Sequence, residues 1–216
     1  MTTVPTTATI TTATITTTAI ITAAVLIVLF TAAALGGAAF WRRATRRCVA
    51  ALRQADAAAR RDPLTGLSNR TAFQHAITGR PAALILLNLD GSATCRRLIG
   101  DRMFDELLVI LAGRLTQHTD AAGDRVFRLR RDEFAVLTDH APGPLADRLL
   151  AAIAEPAELG SSFAVTVEVT ACAGVVHQPN TRTALRHADT ALRTAKNGGR
   201  GRTVVFTPGV HQPGTR

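Results

Sequence analysis

The sequence predicts a layered α/β (α+β) domain, a central mixed sheet flanked by helices, preceded by one transmembrane helix. Three observations carry this. From Asp62 onward the apolar residues switch repeatedly between strand and helix periods. Every Asp, Glu, Lys and Arg lies in residues 42–216. Inside the uncharged part runs an apolar stretch of membrane-crossing length. At 216 residues and 47% hydrophobic, the chain is too apolar for a disordered polymer and fits one ordinary domain plus an appendage.

The elements follow in order. Residues 1–18 are mostly Thr and read as a disordered tail. Residues 19–41 are apolar; as a helix they reach roughly 34 Å against a hydrocarbon layer of ~30 Å. Arg42, Arg43, Arg46 and Arg47 follow at once, so the positive-inside bias puts the C-terminal side in the cytoplasm. A cleaved signal peptide is the rival reading, but no positive charge precedes the run and the run is long for one. The expected location is therefore the inner (cytoplasmic) membrane, single-pass. Residues 42–61 are Ala-rich and read as a linker helix, either lone or pairing weakly with a second copy.

The domain is expected over 62–207, with a tail at 208–216. Ala82–Leu87 is a continuous apolar run, a strand buried on both faces. Phe104, Leu107, Leu108, Leu111 and Leu115 recur at helical spacing. Val126–Leu129 and Phe134–Leu137 flank a short polar turn, as in a hairpin. Leu145, Leu149, Leu150 and Ile153 mark another helix, and alternation from Phe163 to Val169 marks a half-buried strand. Ala184–Lys196 is helical and stops at Asn197-Gly198-Gly199. Val204–Phe206 is a last short strand.

Composition excludes several classes. Three widely spaced Cys with no C-x-x-C give neither a disulfide scaffold nor a thiolate zinc site. The net charge is +9, but the Arg residues are scattered, with no long basic run or aromatic-studded strand. No nucleic-acid partner is expected. The histidines show no metal-ligand spacing.

Asp62-Pro63-Leu64-Thr65-Gly66-Leu67-Ser68-Asn69-Arg70 resembles the D-x-L-T-G-L-x-N-R opening of the GGDEF family, the diguanylate cyclases. Asn88-Leu89-Asp90 resembles that family's metal-binding strand end. Arg128-Leu129-Arg130-Arg131-Asp132-Glu133-Phe134 resembles R-x-G-G-D-E-F. Ala188-Asp189, Ala191-Leu192, Ala195-Lys196 and Gly199-Arg200 resemble the closing motif. The resemblance implies a cyclase-like fold, GTP as ligand, Mg²⁺ or Mn²⁺ as cofactor, and condensation of two GTP into cyclic di-GMP across a dimer. Paired carboxylates suit that metal, which prefers charged oxygen donors.

The departures from the family pattern fall where the chemistry is expected. The metal-binding Asp corresponds to Asn88, with Asp90 two residues on and on the same side of an ideal strand. The second ligand corresponds to Glu133, and the neighbouring acid to Asp132; these two are the expected catalytic pair. Arg130 and Arg131 replace both motif glycines. If the turn demands φ > 0, each costs roughly 1–2 kcal/mol; they either bind phosphate directly or stand as solvated hairpin residues. Arg96 takes the position of a guanine-reading Asn, and Asp105 keeps the second guanine-reading position. Lys196 and Arg200 match a phosphate-contacting pair, or else form an ordinary basic helix C-terminus. The family's feedback motif R-x-x-D reads Ala121-Ala122-Gly123-Asp124, without its Arg.

The expected function is a membrane-anchored, catalytically degenerate regulatory or guanine-nucleotide-binding module of cyclic di-GMP signalling. Its expected partners are the membrane and a homodimer or heterodimer mate carrying another GGDEF domain. The alternative is an active or feeble cyclase with Asn88, Asp90 and Glu133 on the metal.

Overall fold

The computed structural model describes residues 22, 25–26, 30, 40–51, 54, 56–120, 122–160, 164–179 and 183–208. The chain divides into two compact units, residues 1–57 and 58–216. In the first unit, residues 40–51 are helical and exposed. Most of the expected span 19–41 lies outside the described residues. Among the described residues no helix is long and apolar enough to cross a membrane.

The second unit is built on a six-stranded mixed sheet. Its strands are β1 (Ser68–Asn69), β2 (Ala83–Leu89), β3 (Arg125–Arg130), β4 (Glu133–Thr138), β7 (Ala171–His177) and β8 (Thr203–Val205). They lie in the order β1-β3-β4-β2-β7-β8. Strands β5 (Ala157–Leu159) and β6 (Val165–Val167) form a separate two-stranded ribbon. Among the described residues four α-helices accompany these strands: α1 (Arg70–Ala76), α2 (Ser92–Gln117), α3 (Pro142–Ala154) and α4 (Ala184–Asn197). A non-helical Gly100 interrupts α2.

The apolar alternation of the central strands makes two cores. Ile85, Leu87 and Leu89 of β2 join Phe134, Val136, Ala173 and Val175 against α2 and α3. Leu84 and Leu86 face the other way, with Ala135, Leu137, Phe127, Cys172 and Val176, against α1 and α4. The expected doubly buried strand is thus β2, antiparallel to both β4 and β7.

Two differences from the sequence reading have physical causes. The expected strand over Phe163–Val169 is only the ribbon strand β6 among the described residues, because its partner is the short β5 rather than the main sheet. The sheet's own strand there is β7, made of Ala171-Cys172-Ala173-Gly174-Val175-Val176. Small residues at 171–174 conceal its first half, and Gly174 must be small because α4 crosses the strand closely there. A Cβ on Gly174 would sit 2.2 Å from the Ala188 carbonyl oxygen and 2.6 Å from the Leu192 nitrogen. The neighbouring atoms are backbone and cannot swing aside. Gly174→Ala is therefore expected to lower Tm by roughly 5–10 °C, or to prevent folding, in a thermal melt.

Candidate active site

The opening motif folds as a tight turn around the Asp62 carboxylate. Its Oδ1 accepts hydrogen bonds from the Thr65 N–H at 2.9 Å and the Thr65 hydroxyl at 2.7 Å. Asn69 closes the motif by capping α1, its Oδ1 accepting from the Ala72 N–H at 3.1 Å. Arg128 reaches this turn from β3 and donates to Asp62 Oδ1 at 2.8 Å. The same guanidinium donates to the carbonyls of Arg130 at 3.2 Å and Arg131 at 2.8 Å. Burial opposes the Asp62 charge, but the Arg128 and Thr65 hydrogen bonds outweigh it and hold its pKa below the usual carboxylate range.

This clamp fixes the β3–β4 hairpin. Arg128 pairs with Phe134 and Arg130 with Glu133, so Leu129 is an extra residue in a β-bulge. Among the described non-glycine residues only Arg80 and Gln178 have positive φ. The strain anticipated at Arg130 and Arg131 is therefore absent. The bulge rebuilds the turn, and Arg128 satisfies the two carbonyls that the arginines present. Arg130 is largely solvated, as one of the two readings held, yet its Nε lies 3.9 Å from Glu133 Oε2.

At the carboxyl end of β2, Asn88 pairs with Glu133 on one side and Cys172 on the other. Directly paired residues share a face, so Asn88 and Glu133 stand together. Lys196, near the end of α4, donates from Nζ to Asn88 Oδ1. Burial raises the Glu133 pKa; Arg130 opposes the rise, while Asp189 and Asp132 add to it. Asp132 turns the other way and accepts from the Ser92 hydroxyl.

Asp90 is committed elsewhere. Its Oδ2 accepts from the Thr170 hydroxyl at 2.8 Å, the Gly201 N–H at 3.0 Å and the Cys172 thiol at 3.7 Å. It ties the end of β2 to the flanks of β7 and β8. Beside the hairpin opens a cavity of about 600 Å³ lined by Ser92, Arg96, Arg97, Asp101, Phe104, Arg131 and Asp132, among others. Arg96 pairs with Asp101 there. Asp105 is exposed and is not among the lining residues. Arg200 is exposed in the loop after α4.

The donor set does not fit a divalent ion as arranged. Such an ion takes several oxygen donors, mostly charged. Among the described residues no three His, Cys, Asp or Glu side chains form a group able to hold one. The amide beside Glu133 faces an ammonium, and Asp90 Oδ2 is saturated.

At the position of the feedback motif, Asp124 is buried, while Ala121 lies outside the described residues. Asp124 accepts from the Asp120 N–H at 2.9 Å and faces His140 Nδ1 at 3.3 Å. It serves the local fold.

The sequence reading missed the clamp by Arg128, although that residue sits in the signature. It also missed Ser92, Thr170 and Gly201, for which no local pattern exists, since each acts on an acid distant in sequence.

Two outcomes follow from the charges. Asp62→Asn is expected to cost roughly 2 kcal/mol at pH 7 in urea unfolding. The depressed folded pKa means this stability is present above the unfolded aspartate value and is lost as pH falls through the folded one. The gap to the parent chain therefore closes below about pH 4. Glu133 has the opposite sign: its raised folded pKa makes its ionised form a cost to folding above the usual glutamate value. Glu133→Gln is expected to raise Tm at pH 7 and to leave it unchanged well below that value.

Comparison with known proteins agrees with this architecture. The sequence model described as "Diguanylate cyclase, GGDEF domain" matches residues 59–202. "Cyclic di-GMP phosphodiesterase NbdA" of Pseudomonas aeruginosa is 34% identical over 166 residues, 69% of this chain and 21% of that protein. "Diguanylate cyclase DgcM" of Escherichia coli is 30% identical over 169 residues, 70% of this chain and 40% of that protein. The chain thus matches less than half the length of these curated relatives. Among solved structures, the coiled coil and GGDEF domain of DgcB from Caulobacter crescentus, in complex with c-di-GMP, has a TM-score of 0.67 at 20% identity. It covers 77% of this chain and 96% of that one. The GGDEF domain of TpbB from Pseudomonas aeruginosa has a TM-score of 0.62 at 26% identity, covering 68% and 94%. With the fold, the four motifs and the matched sequence model in agreement, the chain belongs to the GGDEF domain family.

Proposed function

We propose that this GGDEF-domain protein of cyclic di-GMP signalling is a membrane-anchored regulatory module that holds a guanine nucleotide but does not join two of them. The observation that carries the reading is Lys196 seated on Asn88. Metal-assisted phosphoryl transfer needs a cation held by paired acids. Here one acid is an amide, that amide faces an ammonium, and Asp90 is bonded into the sheet. Arg130 and Arg131 add two long side chains where the family signature carries bare backbone.

The relatives bear both cyclase and phosphodiesterase names. Membership in the family is therefore compatible with a domain that regulates rather than synthesises. Residues 19–41 would supply the anchor, and a second GGDEF domain, of this chain or another, is the expected mate.

The full chain in detergent, given GTP with Mg²⁺ or Mn²⁺, is expected to form no cyclic di-GMP above a protein-free control by chromatography. The Asn88→Asp, Arg130→Gly, Arg131→Gly variant is expected to gain turnover. Robust product from the parent chain would instead establish the active cyclase. The anchor is tested by full-length mass in the membrane fraction, resistant to extraction with high salt.

A further inference from the structure

We propose that the nucleotide cradle binds a nucleoside triphosphate without a divalent cation, the chain's own ammonium and guanidinium groups supplying the positive charge. This deepens the nucleotide-holding reading above and rests on it.

The first ground is the Asn88–Glu133 pair. These residues face each other directly across β2 and β4. Two acids there would repel and call for a bridging cation. With an amide at 88 that repulsion is gone, and Lys196 Nζ is docked on the amide oxygen instead. A tethered cation thus takes the oxygen of one member of the pair.

The second ground is how the remaining acids are partnered. Glu133 has Arg130 nearby at 3.9 Å, Asp101 is paired with Arg96, and Asp132 accepts from Ser92. Arg97, Arg131 and Lys196 form no ion pair among the described residues. Arg97 donates only to the Thr94 hydroxyl, at 3.1 Å. The rim thus carries surplus positive charge before any metal arrives. Guanidinium and ammonium groups make strong charge-assisted bonds to phosphate.

The third ground is space. The cavity of about 600 Å³ is lined by α2 and by Arg131 and Asp132 of the hairpin, while Lys196 reaches the end of β2 from α4. That volume is in the range of small-molecule sites. Where β2 ends, Gly91 turns the chain into α2 at φ 65°, and a Cβ built there meets nothing within 4 Å. Phosphate oxygens can approach this backbone unobstructed.

Uncomplexed triphosphate is more negative than its magnesium complex. A cradle with fixed cations therefore favours the uncomplexed form, whereas a carboxylate pair favours the complex.

The test is calorimetric binding of GTP to the full chain in detergent, in EDTA and in excess Mg²⁺, with cyclic di-GMP assayed in the same samples. The expected result is an EDTA affinity equal to or tighter than that in Mg²⁺. Lys196→Met is expected to weaken binding in EDTA at least about tenfold, and Lys196→Arg to weaken it less. Because Lys196 is exposed, both variants should keep the parent Tm; Arg131→Ala gives a second reading should either unfold. Binding about tenfold or more weaker in EDTA than in Mg²⁺, or indifference to Lys196→Met, overturns the proposal. Absence of binding in both buffers overturns it together with the nucleotide-holding role. Product formation overturns only the regulatory reading, since metal-free affinity is measured separately.

Discussion

One guanidinium organises this domain. Arg128 bonds the Asp62 carboxylate and two successive hairpin carbonyls at once. The Arg128–Asp62 pair is mostly withdrawn from solvent, with side chains 10% and 19% exposed. Desolvating both charges is costly, and only good geometry with every lone pair used offsets it. Here the cost secures a long-range link, between the turn that precedes α1 and the loop that follows β3. Glu133 stands opposite Asn88 through the unbroken β2–β4 ladder that runs from the Ala83–Thr138 pair, and the bulge lies in β3 beyond it.

The parts of this arrangement that follow from local pattern were legible in the sequence. Leu84–Leu87 declared a strand buried on both sides, and Leu107, Leu108 and Leu111 declared a helix face. The motifs announced the family. What escaped was set by pairing across the chain. Strand β7 escaped because its first four residues are Ala, Cys, Ala and Gly, which leaves only Val175 and Val176 to carry the β-branched signal. Asp90 shares a side with Asn88 on an ideal strand, yet its oxygen goes to Thr170 and Gly201 once β2 ends. The Lys196–Asn88 contact joins residues 108 apart. No local rule reports such a meeting; it depends on where α4 lands on the sheet.

The electrostatics of the rim change character as a result. Glu133 is half-buried among opposing influences, with Arg130 and Arg70 favouring its charge and Asp189 and Asp132 resisting it. Burial is the largest of these influences and sets the upward direction of its pKa. Asp132, Asp101 and Asp62 each have a named neutral or cationic partner. Negative charge that would recruit an ion has been absorbed into internal contacts, and cationic side chains are left facing outward.

The tight crossing of α4 over Gly174 reaches further than the core it packs. Leu192, whose nitrogen limits the room at Gly174, is one helical turn before Lys196, about 6 Å along the axis. Any sideways displacement or rotation of the helix at that fulcrum is delivered to the ammonium at its far end. A hydrogen atom in place of a methyl group, deep in the sheet and touching no ligand, thereby calibrates where the molecule's sole lysine comes to rest.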